Sequence, residues 1–172
     1  MKTKILSLSI LLMTIMTFGQ EIKKPTEGKS LVYFVRYSGT GSLINFKYFD
    51  GEKYLGKAKG ANYFIYECEP GDHLFWAASE NRDFIKATLQ ANETYIIEVK
   101  PKMGAFKAAV RLNQVSPDNE KVLKKIKKVL LKRKPSVLKG KEKDMSFFIK
   151  NSMERYNKIK DEVKTLNTNW TF

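Results

Sequence analysis

Short segments rich in β-branched and aromatic residues alternate with tight-turn signals over residues 30–115, and no other feature limits the fold as strongly. Side chains of these types suit the pleated, half-buried surface of a sheet, so the segments are predicted to be strands. Short strands that follow one another without an intervening helical pattern are typical of an antiparallel β-sandwich or a small barrel. The predicted strands cover residues 30–38, 43–49, 53–57, 62–67, 72–79, 84–89, 94–99 and 105–115.

The turn signals divide this region at short, regular distances. Asp50-Gly51 is the strongest hairpin signal, because glycine tolerates the left-handed backbone that a tight hairpin turn needs. Further turns are predicted at residues 39–41, at Pro70-Gly71, at Asn81-Arg82, at residues 91–93 and around Pro101 and Gly104.

Alternation within the strands favours a sandwich. Tyr63 and Ile65 fall on one face of their strand, and Phe64 and Tyr66 fall on the other, so both faces carry apolar groups. Two sheets must stack to cover such faces. We therefore expect seven or eight strands in two antiparallel sheets.

From Pro117 onward the apolar residues recur at helical spacing, with lysines between them. A first helix is predicted to begin near Pro117-Asp118 and to end by Pro135 or Gly140, and a second to run from about residue 143 to residue 166. The expected fold is thus mainly β, an antiparallel β-sandwich followed by two C-terminal α-helices. The apolar stripes are Val122, Leu123, Ile126, Val129 and Leu130 in the first helix, and Met145, Ile149, Ser152, Tyr156, Ile159, Val163 and Leu166 in the second.

Three interpretations of the two stripes stay open. Both helices can pack on the sheet or on one another, since helices of this length rarely persist in water without tertiary packing. The first helix also has the composition of an interfacial basic helix that lies on a membrane surface. The second can form a dimeric coiled coil through residues 149–166, although these residues span only a few heptads.

The N-terminus predicts export. Lys2 and Lys4 precede the apolar run of residues 5–16, and residues 17–19 put small side chains at positions −3 and −1 of a cleavage site before Gln20. The apolar run is far shorter than the roughly 20 residues that a membrane span needs. This pattern is typical of a secretory signal peptide.

A lipid anchor is not predicted, because a lipoprotein needs cysteine at the first mature position, where Gln20 stands. We therefore expect an exported protein, periplasmic or extracellular. The expected organisation is a signal peptide (1–19), a linker (20–27), a β-sandwich domain (28–116) and a basic helical C-terminal appendage (117–172).

The net charge of +14 is concentrated at the C-terminal end. Residues 117–172 contain 16 Lys and Arg against seven acidic residues, a net charge of +9. A surplus of this kind favours anionic partners such as phospholipid head groups or acidic polymers. The expected partners are an envelope protein or an anionic membrane surface, contacted through residues 117–172. Nucleic acid is not expected, because the tail has charge without a recognisable binding module.

Four short motifs follow one another in a recognisable order: Gly28-Lys-Ser-Leu-Val-Tyr-Phe-Val-Arg36, Asp50-Gly-Glu-Lys53, Glu69-Pro-Gly-Asp-His73 and Ala91-Asn-Glu-Thr-Tyr95. Over roughly residues 28–115 this order resembles the family called domain of unknown function 2846. The resemblance implies a small exported bacterial β-sandwich with a binding or structural role and no defined catalytic residues. Many members are lipoproteins, whereas this chain lacks their cysteine and carries a long basic tail.

Cys68 and His73 are the only cysteine and the only histidine. Nucleophilic catalysis needs an activated thiolate and a base oriented by a third group, and the sequence indicates no third group. His73 is therefore expected to cap the Pro70-Gly71 turn. One cysteine and one histidine also fall short of the ligands of an ordinary zinc site.

Glu67 and Glu69 lie two apart on a strand and share a face, a spacing that glycoside hydrolysis or calcium binding can use. Nothing in the sequence marks a cleft between them, so solvation of a sheet edge is the expected role. Arg36 and Arg82 are likewise expected to solvate strand ends.

Residues 51–57 mimic a phosphate-binding loop, but Ala58 replaces the Ser or Thr that would hold magnesium, and the flanking strands predict a hairpin. Gly56 is expected at a bulge or bend of that hairpin. Phe147 and Phe148 are expected on the apolar side of the second helix.

These features favour a non-enzymatic exported cell-envelope protein with a binding or structural role, carried by the β-sandwich and the basic helical tail. The alternative is a small-molecule or glycan-binding module that uses the sandwich loops, and a hydrolase comes third. No catalytic, cofactor-binding or metal-binding residue is predicted. The oligomeric state stays open.

Overall fold

Two five-stranded sheets stack face to face in the computed structural model, which describes residues 23–103, 108–140, 145–167 and 169–170. The predicted signal peptide, its cleavage site, Gly104 and the predicted start of the second helix near residue 143 lie outside the described residues. The strands are β1 (Ser30–Arg36), β2 (Phe46–Asp50), β3 (Lys53–Ala58), β4 (Asn62–Cys68), β5 (Gly71–Ala78), β6 (Arg82–Leu89), β7 (Thr94–Met103), β8 (Ala108–Gln114), β9 (Lys164–Leu166) and β10 (Asn169–Trp170), and the helices are α1 (Glu120–Lys132) and α2 (Ser146–Ile159).

The predicted mainly β sandwich with C-terminal helices is confirmed. The first sheet, called sheet A, has the order β10-β7-β1-β4, with β8 also paired to β7. The second, called sheet B, has the order β3-β2-β5-β6-β9. Most neighbours are antiparallel, but β1 pairs with β7 and β6 pairs with β9 in parallel, so the sheets are mixed where the sequence predicted antiparallel pairing throughout.

The turns predicted at residues 39–41, Pro70-Gly71, Asn81-Arg82 and residues 91–93 lie between strands or at their ends. The turn predicted around Pro101 is wrong, because Pro101 pairs with Val110 of β8 and β7 continues to Met103.

Asp50 pairs with Lys53, so Gly51 and Glu52 form a two-residue hairpin turn, and Gly51 has a φ of 53°. The Pro70-Gly71 turn joins β4 in sheet A to β5 in sheet B, so it is a corner between the layers.

The inner core lies between the two sheets and is rich in aromatic rings. Phe34 of β1 stacks on Phe64 of β4, with ring centroids 4.6 Å apart, and meets Phe75 of sheet B edge-on at 5.5 Å. Tyr48 completes this contact against Phe64. All four side chains are almost fully buried, so the two inner faces pack into one continuous apolar core.

The outer faces are also covered, one by each helix. Residues of β1 that alternate with the inner set, such as Tyr33 and Val35, pack against Ile126, Val129 and Leu130 of α1. On the other side, Phe49, Trp76 and Phe84 of sheet B pack against a cluster that includes Ile149, Phe148 and Tyr156 of α2. The molecule therefore has four layers, in the order helix, sheet, sheet, helix.

This packing decides among the three interpretations of the apolar stripes. Each stripe lies against one sheet, so the first interpretation is confirmed in the form in which the helices pack on the sheets and not on one another. The stripe of α1 that would enter a membrane is buried on sheet A, and the stripe of α2 that would form a coiled coil is buried on sheet B. Among the described residues, no helix is both long and apolar enough to span a membrane.

The predicted extension of the second helix to Leu166 is wrong. The helix α2 ends at Ile159, and residues 164–166 form β9 on the open edge of β6. An edge strand has a row of unpaired backbone N–H and C=O groups. Residues 164–166 form hydrogen bonds with these groups of β6 instead of continuing the helix. Val163 still packs under α2, while Leu166 enters the inner core.

The connection after α1 crosses one side of the sandwich. The Ser136 backbone N–H donates to the Tyr63 carbonyl of sheet A at 2.7 Å, and Lys139 and Lys57 of sheet B exchange two backbone hydrogen bonds at 2.8 and 3.0 Å. At Gly56, next to the β-bulge that Leu55 forms in β3, a Cβ would lie 2.6 Å from the Leu138 Cβ. The bulge predicted at Gly56 is therefore present, and its glycine makes room for this connection.

Candidate functional site

The only histidine lies in a small polar cluster at one end of the inner core. His73 Nδ1 is 2.8 Å from Asp50 Oδ2, and His73 Nε2 is 2.9 Å from the Glu69 carbonyl oxygen. The Tyr66 hydroxyl donates to the same Asp50 oxygen at 3.1 Å. His73 and Asp50 are 13% and 12% exposed, so this ion pair is largely shielded from water.

His73 carries both ring protons in this arrangement. Its two partners, a carboxylate and a backbone carbonyl, can only accept hydrogen bonds, so each ring nitrogen must donate. The hydrogen bond to Asp50, followed by the contact with the Cys68 thiol, raises the pKa of His73 to about 10. The predicted cap is confirmed, because Nε2 donates to the carbonyl of the residue before Pro70.

Asp50 is the third group that the sequence did not reveal. Together with Cys68 and His73 it has the composition of a Cys-His-Asp triad, brought together because β2 and β4 end, and β5 begins, at the same side of the core. Yet a general base needs a free lone pair, and neither nitrogen of His73 has one. Cys68 itself is buried, 8% exposed, with its Sγ 3.9 Å from the Ser30 carbonyl oxygen. The geometry is that of a structural ion pair.

The two glutamates anchor the N-terminal segment. Glu67 Oε1 accepts hydrogen bonds from the Thr26 backbone N–H and hydroxyl, both at 3.0 Å, and lies 3.3 Å from Lys23 Nζ. The backbone hydrogen bond from Thr26 is the main cause that holds the pKa of Glu67 below its usual range. Glu69 forms an ion pair with Lys29. Each carboxylate therefore has its own basic partner.

The sequence suggested that Arg36 and Arg82 solvate strand ends, and this expectation is wrong for both residues. Arg36 is 1% exposed, and its guanidinium donates to the carbonyl oxygens of Ile44, Thr40 and Gly41 at 3.1, 2.9 and 2.6 Å. It therefore anchors the loop between β1 and β2 from inside the core.

Arg82 attaches α2 to sheet B. Its Nε donates to the Ser152 hydroxyl at 2.6 Å, and its guanidinium lies 4.5 Å from the centroid of the Phe148 ring. Phe148 packs on the sheet as predicted, whereas Phe147 is 76% exposed and lies on the solvent side of α2. Residues 51–57 form the turn and strand of a hairpin, as expected from their flanks.

The face of α1 that points away from sheet A is strongly basic. With the apolar stripe buried, the polar positions of the helix and the residues just after it are exposed. Lys124 lies 3.7 Å from Glu120 in an exposed pair, and no other ion pair of this face is present among the described residues. The exposed basic residues are Lys121, Lys124, Lys125, Lys127, Lys128, Lys132, Arg133 and Lys134.

One flank of this face borders a cavity of about 630 Å³, called here the lysine groove. Lys125, Lys128 and Lys132 are spaced three and four residues apart, which puts them in one row along α1. The spacing was available in the sequence, but the opposite wall was not, because it depends on where α1 packs. The groove is lined by Tyr37, Ser38, Ala61, Lys125, Lys128, Val129, Lys132 and Arg133.

The aromatic wall of the lysine groove is fixed in position. The Tyr37 hydroxyl lies 2.5 Å from Glu98 Oε1, and Lys125 Nζ lies 5.3 Å from the centroid of the Tyr37 ring. Burial, and then the hydrogen bond to Glu98, raise the pKa of Tyr37 to about 12. Glu98 also accepts a hydrogen bond from Asn113 at 2.9 Å and is 7% exposed, so its charge is held beneath the groove wall.

No three His, Cys, Asp or Glu side chains converge as a metal site requires within the part of the chain that the structure describes. Comparisons of the chain with family models, with curated proteins and with solved structures found no match.

Proposed function

We propose that the protein is a non-enzymatic, exported component of the cell envelope that binds anionic surfaces through α1. The observation that carries the proposal is that the two faces of α1 have different surroundings. The apolar stripe packs on sheet A, so the basic face points to solvent and can contact a partner. Export and the resemblance to domain of unknown function 2846 are parts of the proposal that rest on the sequence.

The binding mode differs from that of an interfacial helix. Insertion of Val122, Ile126 or Val129 into a bilayer would uncover sheet A, so α1 contacts a charged surface only through the charged ends of its basic side chains. Each Lys or Arg near an anionic bilayer contributes about 1 kcal/mol, and the attraction falls off within a Debye length of about 8–10 Å at physiological salt. Binding should therefore be multivalent, reversible and sensitive to salt.

The polar cluster at His73 supports a role without catalysis. Its imidazolium is held by two acceptors and the glutamates pair with lysines, so the titratable groups that the sequence singled out are engaged in structural contacts.

Flotation of the mature chain with lipid vesicles tests the proposal. We expect the protein to float with phosphatidylglycerol vesicles, to stay behind with pure phosphatidylcholine, and to be released by salt at about 0.5 M. Loss of flotation should follow four substitutions on α1, whereas four charge-matched substitutions elsewhere on the surface should leave it nearly unchanged. The α1 variant is Lys121→Gln, Lys124→Gln, Lys127→Gln and Lys128→Gln, and the control is Lys100→Gln, Lys102→Gln, Lys150→Gln and Lys158→Gln, all at exposed positions.

Equal losses in the two variants would show that net charge, and not α1, governs binding. No flotation of the unchanged protein with anionic vesicles would reject the proposed function.

A further inference from the structure

We infer that the lysine groove is a binding site for a phosphate ester whose attached group has about the size of a sugar. The inference deepens the proposed function and rests on it for its setting in the envelope. The proposed function needs only a charged helix face, whereas the inference assigns one concave site on that face to one chemical class of ligand.

The shape of the groove separates it from the remainder of the basic face. Its volume of about 630 Å³ falls in the range of small-molecule pockets, roughly 300–1,000 Å³, and exceeds what one phosphate group fills. Lys121, Lys124 and Lys127 of the same face do not line this cavity, so the groove can select a ligand by its size as well as by its charge.

The charge of the groove points to an anion. Of the residues that the structure describes, four cations line it, from Lys125, Lys128, Lys132 and Arg133, and no Asp or Glu side chain does. Lys128 and Lys132 form no ion pair with any described residue, so their ammonium groups have donors available for a ligand. Charge-assisted hydrogen bonds from several lysines to one phosphate group are the expected contacts.

The opposite wall suits the group that the phosphate carries. The Tyr37 ring is held by Glu98 with Lys125 Nζ 5.3 Å from its centroid, so it adds aromatic surface beside a cation, while Val129 and Ala61 add apolar surface. The Ser38 hydroxyl, bonded to Thr40 at 3.0 Å, adds a polar atom at the rim. A sugar ring, with apolar faces and hydroxyl edges, matches such a mixed wall better than a purely apolar group does.

Arg133 closes one end of the groove and ties it to sheet A. Its guanidinium donates to the Ala61 carbonyl oxygen at 2.5 Å, which leaves other N–H groups of the same fork free. The helix C-terminus and the β3–β4 loop are thereby held together, so this end of the groove is in place before a ligand arrives.

Calorimetric titration with glucose 1-phosphate tests the inference on the mature protein. We expect the unchanged protein to bind glucose 1-phosphate, and glucose to give no signal. Lys128→Gln with Lys132→Gln should weaken binding by about tenfold or more, because two charge-assisted contacts are lost. Lys124→Gln with Lys127→Gln removes the same charge from the same helix outside the groove, and should change the affinity by less than about twofold.

The same two pairs of variants are then compared in flotation with phosphatidylglycerol vesicles. If Lys128→Gln with Lys132→Gln selectively lowers the affinity for glucose 1-phosphate, the site is assigned to a soluble phosphate ester. If the same pair selectively lowers flotation, the site is assigned to a lipid head group. Equal effects of the two pairs in both assays would overturn the inference and leave the proposed function intact. Absence of flotation by the unchanged protein would instead reject the proposed function, whatever the soluble ester does.

Discussion

His73 shows how one residue at the end of the inner core links the two sheets. Its ring stacks on Phe75 of its own strand, with centroids 5.3 Å apart, and its protons go to Asp50 and to the Glu69 carbonyl. Tyr66 of sheet A reaches the same carboxylate, so sheets A and B share this pair. Removing one partner from a shielded pair leaves the other charge uncompensated, which costs more than the pair itself contributes.

The raised pKa of His73 predicts a pH dependence of stability. The folded protein binds the His73 proton more tightly than the unfolded chain does. The contribution of this proton to the free energy of unfolding is therefore complete below the ordinary pKa of 6.5 and is lost as the pH rises toward about 10. Between pH 6.5 and about 9 the free energy of unfolding should fall by about 2–3 kcal/mol more in the unchanged protein than in His73→Gln. Urea unfolding at several pH values measures both slopes, and parallel slopes would contradict the charged state assigned to His73.

At the scale of the element, α1 illustrates what an apolar stripe alone cannot decide. The spacing of Val122 to Leu130 predicted a helix with one apolar face, and α1 confirms it between Glu120 and Lys132. Asn119 caps it by accepting a hydrogen bond from the Val122 backbone N–H at 3.2 Å. Whether the stripe meets a sheet, a membrane or another helix depends on the partner surface, which lies far away in the sequence.

A pair of adjacent leucines tests the packing of α1. Leu130 is 2% exposed against sheet A, whereas Leu131 is 58% exposed. Leu130→Ala should lower the free energy of unfolding by about 2–5 kcal/mol, because it opens a cavity in a packed interface, and Leu131→Ala should change it by less than about 0.5 kcal/mol. Chemical denaturation followed by circular dichroism measures both, and similar small effects would mean that α1 is not held on the sheet in solution.

The end of α2 marks the limit of periodicity as a signal. Ile159, Val163 and Leu166 fit a continuing helical stripe, yet only Ile159 belongs to the helix. The residues after it are held by pairing with β6, where Ile85 lies opposite Lys164 and Ala87 opposite Leu166. A local pattern of three or four apolar residues gives no information about a free strand edge about 80 residues away in the chain, so it cannot show that strand pairing is favoured over the helix.

At the scale of the whole molecule, the strands were predictable and their partners were not. Gly51 and the alternation at Tyr63 and Phe64 are local signals, and they correctly predict a hairpin and a strand that is apolar on both faces. The parallel pairing of β1 with β7 joins segments separated by five other strands, and no local feature encodes it. The His73 cluster and the lysine groove depend on long-range contacts of this kind, so the sequence revealed His73 and the row of lysines but missed their partners Asp50 and Tyr37.

The C-terminal residues enclose the sandwich, and this arrangement predicts the outcome of truncation. The helices cover both outer faces, residues 136–139 bond to both sheets, and β9 and β10 extend sheets B and A. A chain of residues 20–116 would expose Tyr33, Val35, Trp76 and Phe84 to water, at about 1.5–3 kcal/mol for each side chain, which together rivals the 5–15 kcal/mol of a typical domain.

We therefore expect residues 20–116 to lose cooperative thermal unfolding and to bind a hydrophobic dye, as loosely packed states do. A chain that ends at Asn167 is the matched control, since the removed contact that the structure describes is the short pairing of β10 with β7, and this chain should unfold cooperatively, within a few degrees of the full protein. Scanning calorimetry of both chains measures the difference. A sharp transition of residues 20–116 near that of the full protein would show that the sandwich is stable alone and that the helices are an appendage after all.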